Sequence, residues 1–195
     1  MENKIIPLRI SHSSLQTFHS CPRKFQIEKF SPQEIEREES EHFFFGHAIG
    51  AGVAVYMATQ DEDKAIFATW LAYWPEVETE KKNISIAISA IIQAFPYMDQ
   101  LLDEYEVVSW NGKPAAEFSI RIDISEFLYF VGHIDLVLYN KKEERYVVME
   151  VKHTGLQIAD LSPLYKNSGQ ALGYSLALDT ITGQENAMFD VLDLS

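Results

Sequence analysis

One change of hydrophobic period, near Asp103, constrains this chain more than any other feature of its sequence. Before it, apolar residues recur at helical spacing; after it, they alternate. In the first part Ser11 is placed to cap HSSLQTFHS, with Leu15 and Phe18 on one face, and Pro22 opens a second helix, PRKFQIEKF. Glu41 to Thr59 begins with Phe43-Phe44-Phe45 and is apolar nearly all round. That pattern predicts a buried helix in which Gly46, Gly50 and Gly52 allow close packing. Asp61 to Trp74, capped by Asp61, and Lys82 to about Glu104, kinked at Pro96, complete the helical part.

The second part reads as strands: YEVVSW, AAEFSIRID, FLYFVGHIDLVLY and RYVVMEVKH. Turn signals at Asn111-Gly112 and from Asn140 to Glu144 make them an antiparallel meander. A helix from about Ser162 to Thr180 follows, and AMFDVLDL closes the chain as a strand parallel to its neighbour through a crossover. Helices followed by βββαβ predict an α/β domain with a central mixed sheet flanked by helices. The last strand reaches Ser195 without a turn, so the natural chain is expected to continue.

At 195 residues the length fits one domain, and no repeat or linker divides it. The stretch from Ala48 to Ala58 is too short and Gly-rich to span a bilayer, which takes about 20 apolar residues. MENKIIPLRI lacks a secretory signal core and Cys21 is the only cysteine, so a cytoplasmic protein without disulfides or membrane contact is expected. The net charge of −13 argues against nucleic acid, because phosphates are bound through Lys and Arg. Its distribution tempers that argument. Residues 1–30 carry five basic and two acidic groups, a net of +3, whereas residues 31–110 carry four and fifteen, a net of −11.

The residues with chemistry to offer lie on two adjacent strands. Alternation puts Glu150 and Lys152 on one face of RYVVMEVKH, and folding back about Lys141 to Glu144 brings Asp135 of the preceding strand close to Glu150. Two carboxylates beside the Val151 carbonyl make a hard-cation site suited to Mg²⁺ or Mn²⁺. Such a metal acidifies a bound water and stabilises charge on a phosphate. Lys152 is placed to orient or deprotonate that water. The plainer reading is an exposed Glu150–Lys152 ion pair at a strand end. P-loop, GxGxxG and Ser-His-Asp arrangements are absent in suitable context, which disfavours ATP hydrolysis, dinucleotide binding and acyl transfer.

In order along the chain stand Gly132-His-Ile-Asp135, Glu150-Val-Lys152 and Gln170-Ala-Leu-Gly-Tyr174. This order resembles the PD-(D/E)XK nuclease superfamily, in particular its RecB-like exonuclease branch and phage-encoded members, with G-x-x-D, (D/E)-x-K and Q-x-x-x-Y. ISHSSLQTFHSCPRKFQIEKF is similar to the opening helix pair of that branch, with Ser11, Ser13, Ser14, Cys21, Pro22, Arg23, Lys24, Phe25 and Lys29 at matching positions. The resemblance implies a restriction-endonuclease-like core (αβββαβ) with a helical N-terminal insertion, spanning 1–195 with about 60–110 as added helices. It implies a metal-dependent deoxyribonuclease, exonucleolytic, in recombination, repair or phage DNA processing. Asp135, Glu150 and Val151 would hold Mg²⁺ or Mn²⁺, Lys152 would assist the water, and Gln170 and Tyr174 would position water or DNA. Ser11, Ser13, Arg23 and Lys24 would contact DNA. Partners would be DNA and a recombinase, a single-strand annealing protein or a helicase. The rival reading is a non-catalytic module on the same fold that binds DNA ends or a protein.

The chain departs from the pattern in two places. Many relatives carry G-x-x-x-H with a ligand His; here Gly46 is followed by Gly50, and His47 is either a substitute ligand from the same helix or a packed His. Some relatives hold an iron-sulfur cluster, which generally needs four thiolates; with Cys21 alone no cluster is expected, and Cys21 reads as a buried helix-junction residue. Glu117 occupies a position where the branch often has a Glu near the metal, or is a polar residue at a strand start. His133 shares a face with Asp135 and is expected to be structural. Trp70, Tyr73 and Trp74 are expected to close the core, the alternative being an exposed platform for bases or a partner.

Overall fold

The computed structural model describes residues 6–31, 41–73, 79–152 and 168–194. The chain runs β1 (Leu8–Ile10), α1 (His12–Ser20), α2 (Pro22–Phe30), α3 (Glu41–Thr59), α4 (Glu62–Ala72) and α5 (Ile84–Glu104). It continues with β2 (Tyr105–Val107), β3 (Ser109–Trp110), β4 (Lys113–Pro114), β5 (Ala116–Ser125), β6 (Leu128–Asn140), β7 (Arg145–Lys152), α6 (Gly169–Thr182) and β8 (Met188–Asp193).

The helix boundaries follow their caps. The Ser11 side chain accepts the Ser14 N–H while the Ser14 hydroxyl accepts the Ser11 N–H, a reciprocal capping box. Cys21 caps α2 by accepting the Lys24 N–H on its sulfur, with Pro22 in the first turn. Asp61, Asn83 and Ser168 cap α4, α5 and α6, and Gly183 ends α6 at φ 70°, a left-handed position that suits a residue without Cβ. Pro96 lies inside α5. Asn111 and Gly112, at φ 51° and 74°, make the tight turn between β3 and β4.

Six strands form one mixed sheet in which β6 is central: β1 pairs with it in parallel, β2 and β7 antiparallel, β5 also pairs with it, and β8 lies parallel to β7. Helices flank this sheet, as the change of period predicts. The three-residue β1 was not legible as a strand. The Ser162 to Thr180 helix is described from Gly169 onward; its first turns, like Trp74, lie outside the described residues.

The chain divides into two compact units. The first comprises residues 1–38 and 119–133. In it β1 runs beside the start of β6, Leu8 opposite Leu128 and Ile10 opposite Phe130. Helices α1 and α2 meet through an edge-to-face contact of Phe18 with the buried Phe25. Arg121 lies over the Tyr129 ring and pairs with Asp123.

The second unit comprises residues 39–118 and 134–195 and holds the main core. Helices α3, α4 and α5 pack together, and Phe45, Ile49, Val53, Ile91 and Met98 meet Leu136, Leu138, Val147 and Met149 on one face of the sheet. Gly52 is where close approach matters, because a Cβ there would collide with the Thr69 hydroxyl and with Ile91. The alternate residues of β7, Val148 and Glu150, are also buried, on the face that α6 covers with Ala171, Tyr174, Ala177 and Leu178.

Candidate active site

The β6–β7 ladder pairs Leu138 with Val147 and Leu136 with Met149. One step further the two strands present Asp135 and Glu150 on the same face. There Asp135 Oδ2 accepts the Val151 N–H at 2.7 Å, so a side chain takes a backbone donor at the end of the ladder. Glu150 is 4% exposed. Its Oε1 accepts from Lys152 Nζ at 2.5 Å and from Gln170 Nε2 at 2.8 Å, while its Oε2 is buried with no hydrogen-bond partner among the described residues.

A buried anion with one orphaned oxygen is costly unless something positive completes its shell. Asp135 registers the same imbalance: burial, then the Glu150 charge, and further the Glu117 charge raise its pKa to about 7, against the Val151 N–H and Lys152. The donor set is all carboxylate oxygen, the preference of a hard divalent cation, and the site is short of positive charge. Among the described residues no three His, Cys, Asp or Glu side chains converge as a ready-made metal cluster. A cation held here would take Asp135 and Glu150 as protein ligands and keep places for water or substrate oxygens, as Mg²⁺ usually does.

A family model of the PD-(D/E)XK nuclease superfamily matches residues 9–191. The chain belongs to this superfamily. Its members are nucleases that generally use divalent metals, and DNA is the substrate that the fold implies. No curated protein matches the chain.

The other expected site residues of this PD-(D/E)XK chain lie on α6, on α3 and in the α1–α2 segment. Gln170 donates its amide N–H to Glu150 Oε1. Tyr174 is buried, and helical spacing sets it on the stripe of α6 that carries Ala171, Ala177 and Leu178. His47 is exposed on α3, and the described side chains do not gather it with Asp135 and Glu150. One turn on, Gly50 faces Glu117, whose Oε1 lies 3.8 Å from where a Gly50 Cβ would stand. Glu117 has a φ of 50°, a strained value for this residue, held within a strand.

In the first unit the Ser11 hydroxyl belongs to the α1 cap and lies 3.1 Å from that of Ser13, which is exposed. Arg23 reaches Gln26 and Lys24 approaches Glu28, both on the solvent side of α2. Cys21 is exposed rather than a buried packing residue, because its sulfur is turned outward to cap α2. His133 Nδ1 lies 2.9 Å from the Ser119 hydroxyl. Trp70 is exposed rather than closing the core, whereas Tyr73 is buried and donates its hydroxyl to the Lys82 carbonyl.

Sequence reasoning missed Asp193. In the parallel pairing it stands opposite Lys152, and both of its carboxylate oxygens are buried. The alternation in MFDVLD placed it on one face with Val191, but only the pairing with β7 shows that this is the face of Glu150 and Lys152.

Proposed function

We propose that this chain is a divalent-metal-dependent deoxyribonuclease of the RecB-like branch, acting from DNA ends in recombination, repair or phage DNA processing. The observation that carries the reading is the pair of half-buried Asp135 and buried Glu150, with one Glu150 oxygen unsatisfied among the described residues and Lys152 bound to the other oxygen of the same carboxylate. A protein that only bound DNA would gain nothing from two carboxylates that repel phosphate. The ordered motifs of the RecB-like pattern, from Gly132-x-x-Asp135 to Gln170-x-x-x-Tyr174, support the branch.

Mg²⁺ or Mn²⁺ at this site would acidify a water and neutralise phosphate charge. Glu150 Oε2, the Asp135 carboxylate and the Val151 carbonyl are the groups to hold it, with Glu117 as the nearest further carboxylate and His47 the sequence-derived alternative. Gln170 fixes Glu150 through its amide. The Lys152 ammonium orients the attacking water and offsets charge on the phosphate as the water oxygen bonds to phosphorus and the opposite P–O bond breaks, its sugar oxygen leaving and taking up a proton from solvent. Ser13, Arg23 and Lys24, in the segment of net charge +3, are the candidate contacts to the DNA backbone.

The test is cleavage of end-labelled linear and closed circular DNA in Mg²⁺, Mn²⁺ or EDTA by wild type, Glu150→Gln and Lys152→Ala. Loss of linear DNA alone, in metal alone, and in the wild type alone is expected. Cleavage of the circles would move the protein to the endonucleases. Absence of cleavage with DNA binding intact in all three proteins would favour the binding-module reading.

A further inference from the structure

Strand β8 carries two aspartates, and they meet different surroundings. Asp190 is exposed, and its Oδ1 accepts the Val191 N–H. Asp193, three residues on, has both carboxylate oxygens buried. The parallel ladder with β7 says what lies beside it. Glu150 pairs with Val191 and Lys152 with Asp193, and the Leu194 N–H closes the ladder on the Lys152 carbonyl at 2.9 Å. Residues on one rung of a parallel pair present their side chains on the same face, from backbones about 4.8 Å apart. One face of the β7–β8 pair therefore carries Glu150, Lys152 and Asp193, and α6 packs on both strands.

A carboxylate whose oxygens are out of water needs positive charge or donors close by. The register supplies a cation on the rung itself, the Lys152 ammonium. Glu150 Oε1 accepts from the same ammonium, so Lys152 has a carboxylate before it on its own strand and another beside it on β8. The two anions are placed for separate tasks. Glu150 belongs with Asp135, which reaches it from β6. Strand β8 lies across β7 from β6, so Asp193 stands two strand spacings, about 10 Å, from the strand that bears Asp135. In keeping with that separation, no three His, Cys, Asp or Glu side chains converge among the described residues. A cation at Glu150 would offset the charge with which that residue holds Lys152, and Asp193 is then the anion left to hold it.

We propose that Asp193 is a positioning residue for hydrolysis: its carboxylate holds the Lys152 ammonium on the face of the Asp135–Glu150 pair and touches neither cation nor phosphate. The consequence for catalysis rests on the reading of Lys152 as the group that orients the attacking water; the link between Asp193 and Lys152 does not.

Two measurements test it. In the metal-free protein, urea unfolding of wild type, Asp193→Asn, Lys152→Met and the double variant forms a cycle. The double variant should lose less stability than the two single variants added together; strictly additive losses overturn the proposal. The second measurement is single-turnover cleavage of linear DNA at saturating Mg²⁺. Asp193→Asn, its fold checked by circular dichroism, should slow this reaction about 10- to 100-fold, with the DNA and Mg²⁺ concentrations for half-maximal rate unchanged. Asp193→Glu keeps the charge and should recover part of the rate; Asp193→Ser takes the place of Asp193→Asn if that variant does not fold. A wild-type rate in Asp193→Asn overturns the proposal, and so does a raised Mg²⁺ requirement, which would make Asp193 a metal ligand. Wild type that leaves DNA intact would remove the nuclease reading, while the unfolding cycle still decides whether Asp193 holds Lys152.

Discussion

The head of α4 and the end of the β6–β7 ladder are both built around aspartates whose carboxylates accept backbone N–H groups, yet the two behave in opposite ways. Asp61 takes the Lys64 N–H and its ammonium in open solvent, and these bonds hold its carboxyl below the usual range. Asp135 takes the Val151 N–H equally well, but burial and two neighbouring carboxylates override that bond and push it up to about 7. The same residue with the same kind of hydrogen bond is a helix cap in one place and a poised, charge-starved ligand in the other. Solvent access and the sign of the nearest charge decide which.

The largest expected effect tests whether the second region is chemical at all. Glu150→Gln should lower DNA cleavage by on the order of 10³-fold, measured as single-turnover rates, while Asp61→Asn leaves the rate unchanged. A comparable loss in Asp61→Asn would dissolve the contrast.

The pH dependence of stability sharpens it. A carboxyl whose folded pKa lies above its unfolded value of about 3.9 favours folding when protonated. The metal-free protein should therefore lose stability as pH rises from about 4 to 7, by several degrees of melting temperature. Asp135→Asn should remove that slope, and Mg²⁺ or Mn²⁺ should restore the melting temperature of the wild type at pH 7.5. Asp61 has the opposite sign: its contribution is present above about pH 4 and fades only as pH falls through its lowered pKa. Over pH 5 to 8 the Asp61→Asn slope should match that of wild type.

Smaller effects follow from the neighbours. Gln170→Leu removes one of the two donors on Glu150 Oε1 and should cost about 1 kcal/mol in chemical denaturation, with a larger loss in the absence of metal than in its presence. Asp61→Ala should cost least, a drop of roughly a degree or two in melting temperature that added salt reduces.

Much of the site was legible because its signals are local. Glu150 and Lys152 are two residues apart in a strand, and the four-residue turn from Lys141 fixes which residue of β6 comes round to meet them. The caps at Ser11 and Asp61 sit where the residue types predict, since a cap needs nothing beyond its own helix turn. The misreadings share a cause. Trp70 and Cys21 were assigned to the interior on apolar character, but burial depends on which neighbours a helix face meets, and each faces solvent. Packing of α6 on the sheet likewise decides that Tyr174 is buried and that Gln170 meets Glu150, contacts that their spacing along the helix does not specify.

What the sequence determined by itself is therefore what repeats within a few residues: helix and strand periods, caps, turns and the shared face of Glu150 and Lys152. The tertiary structure decided what depends on contacts distant in sequence. It brought β1 beside β6 and Asp193 beside Lys152, set Glu117 against Gly50, and left the aromatic face of α4 in water. It also left Glu150 Oε2 without a partner among the described residues, a cost visible only once the groups around it are in place. Local pattern follows from backbone geometry, whereas the charge state and exposure of a side chain follow from the whole set of groups that folding gathers around it.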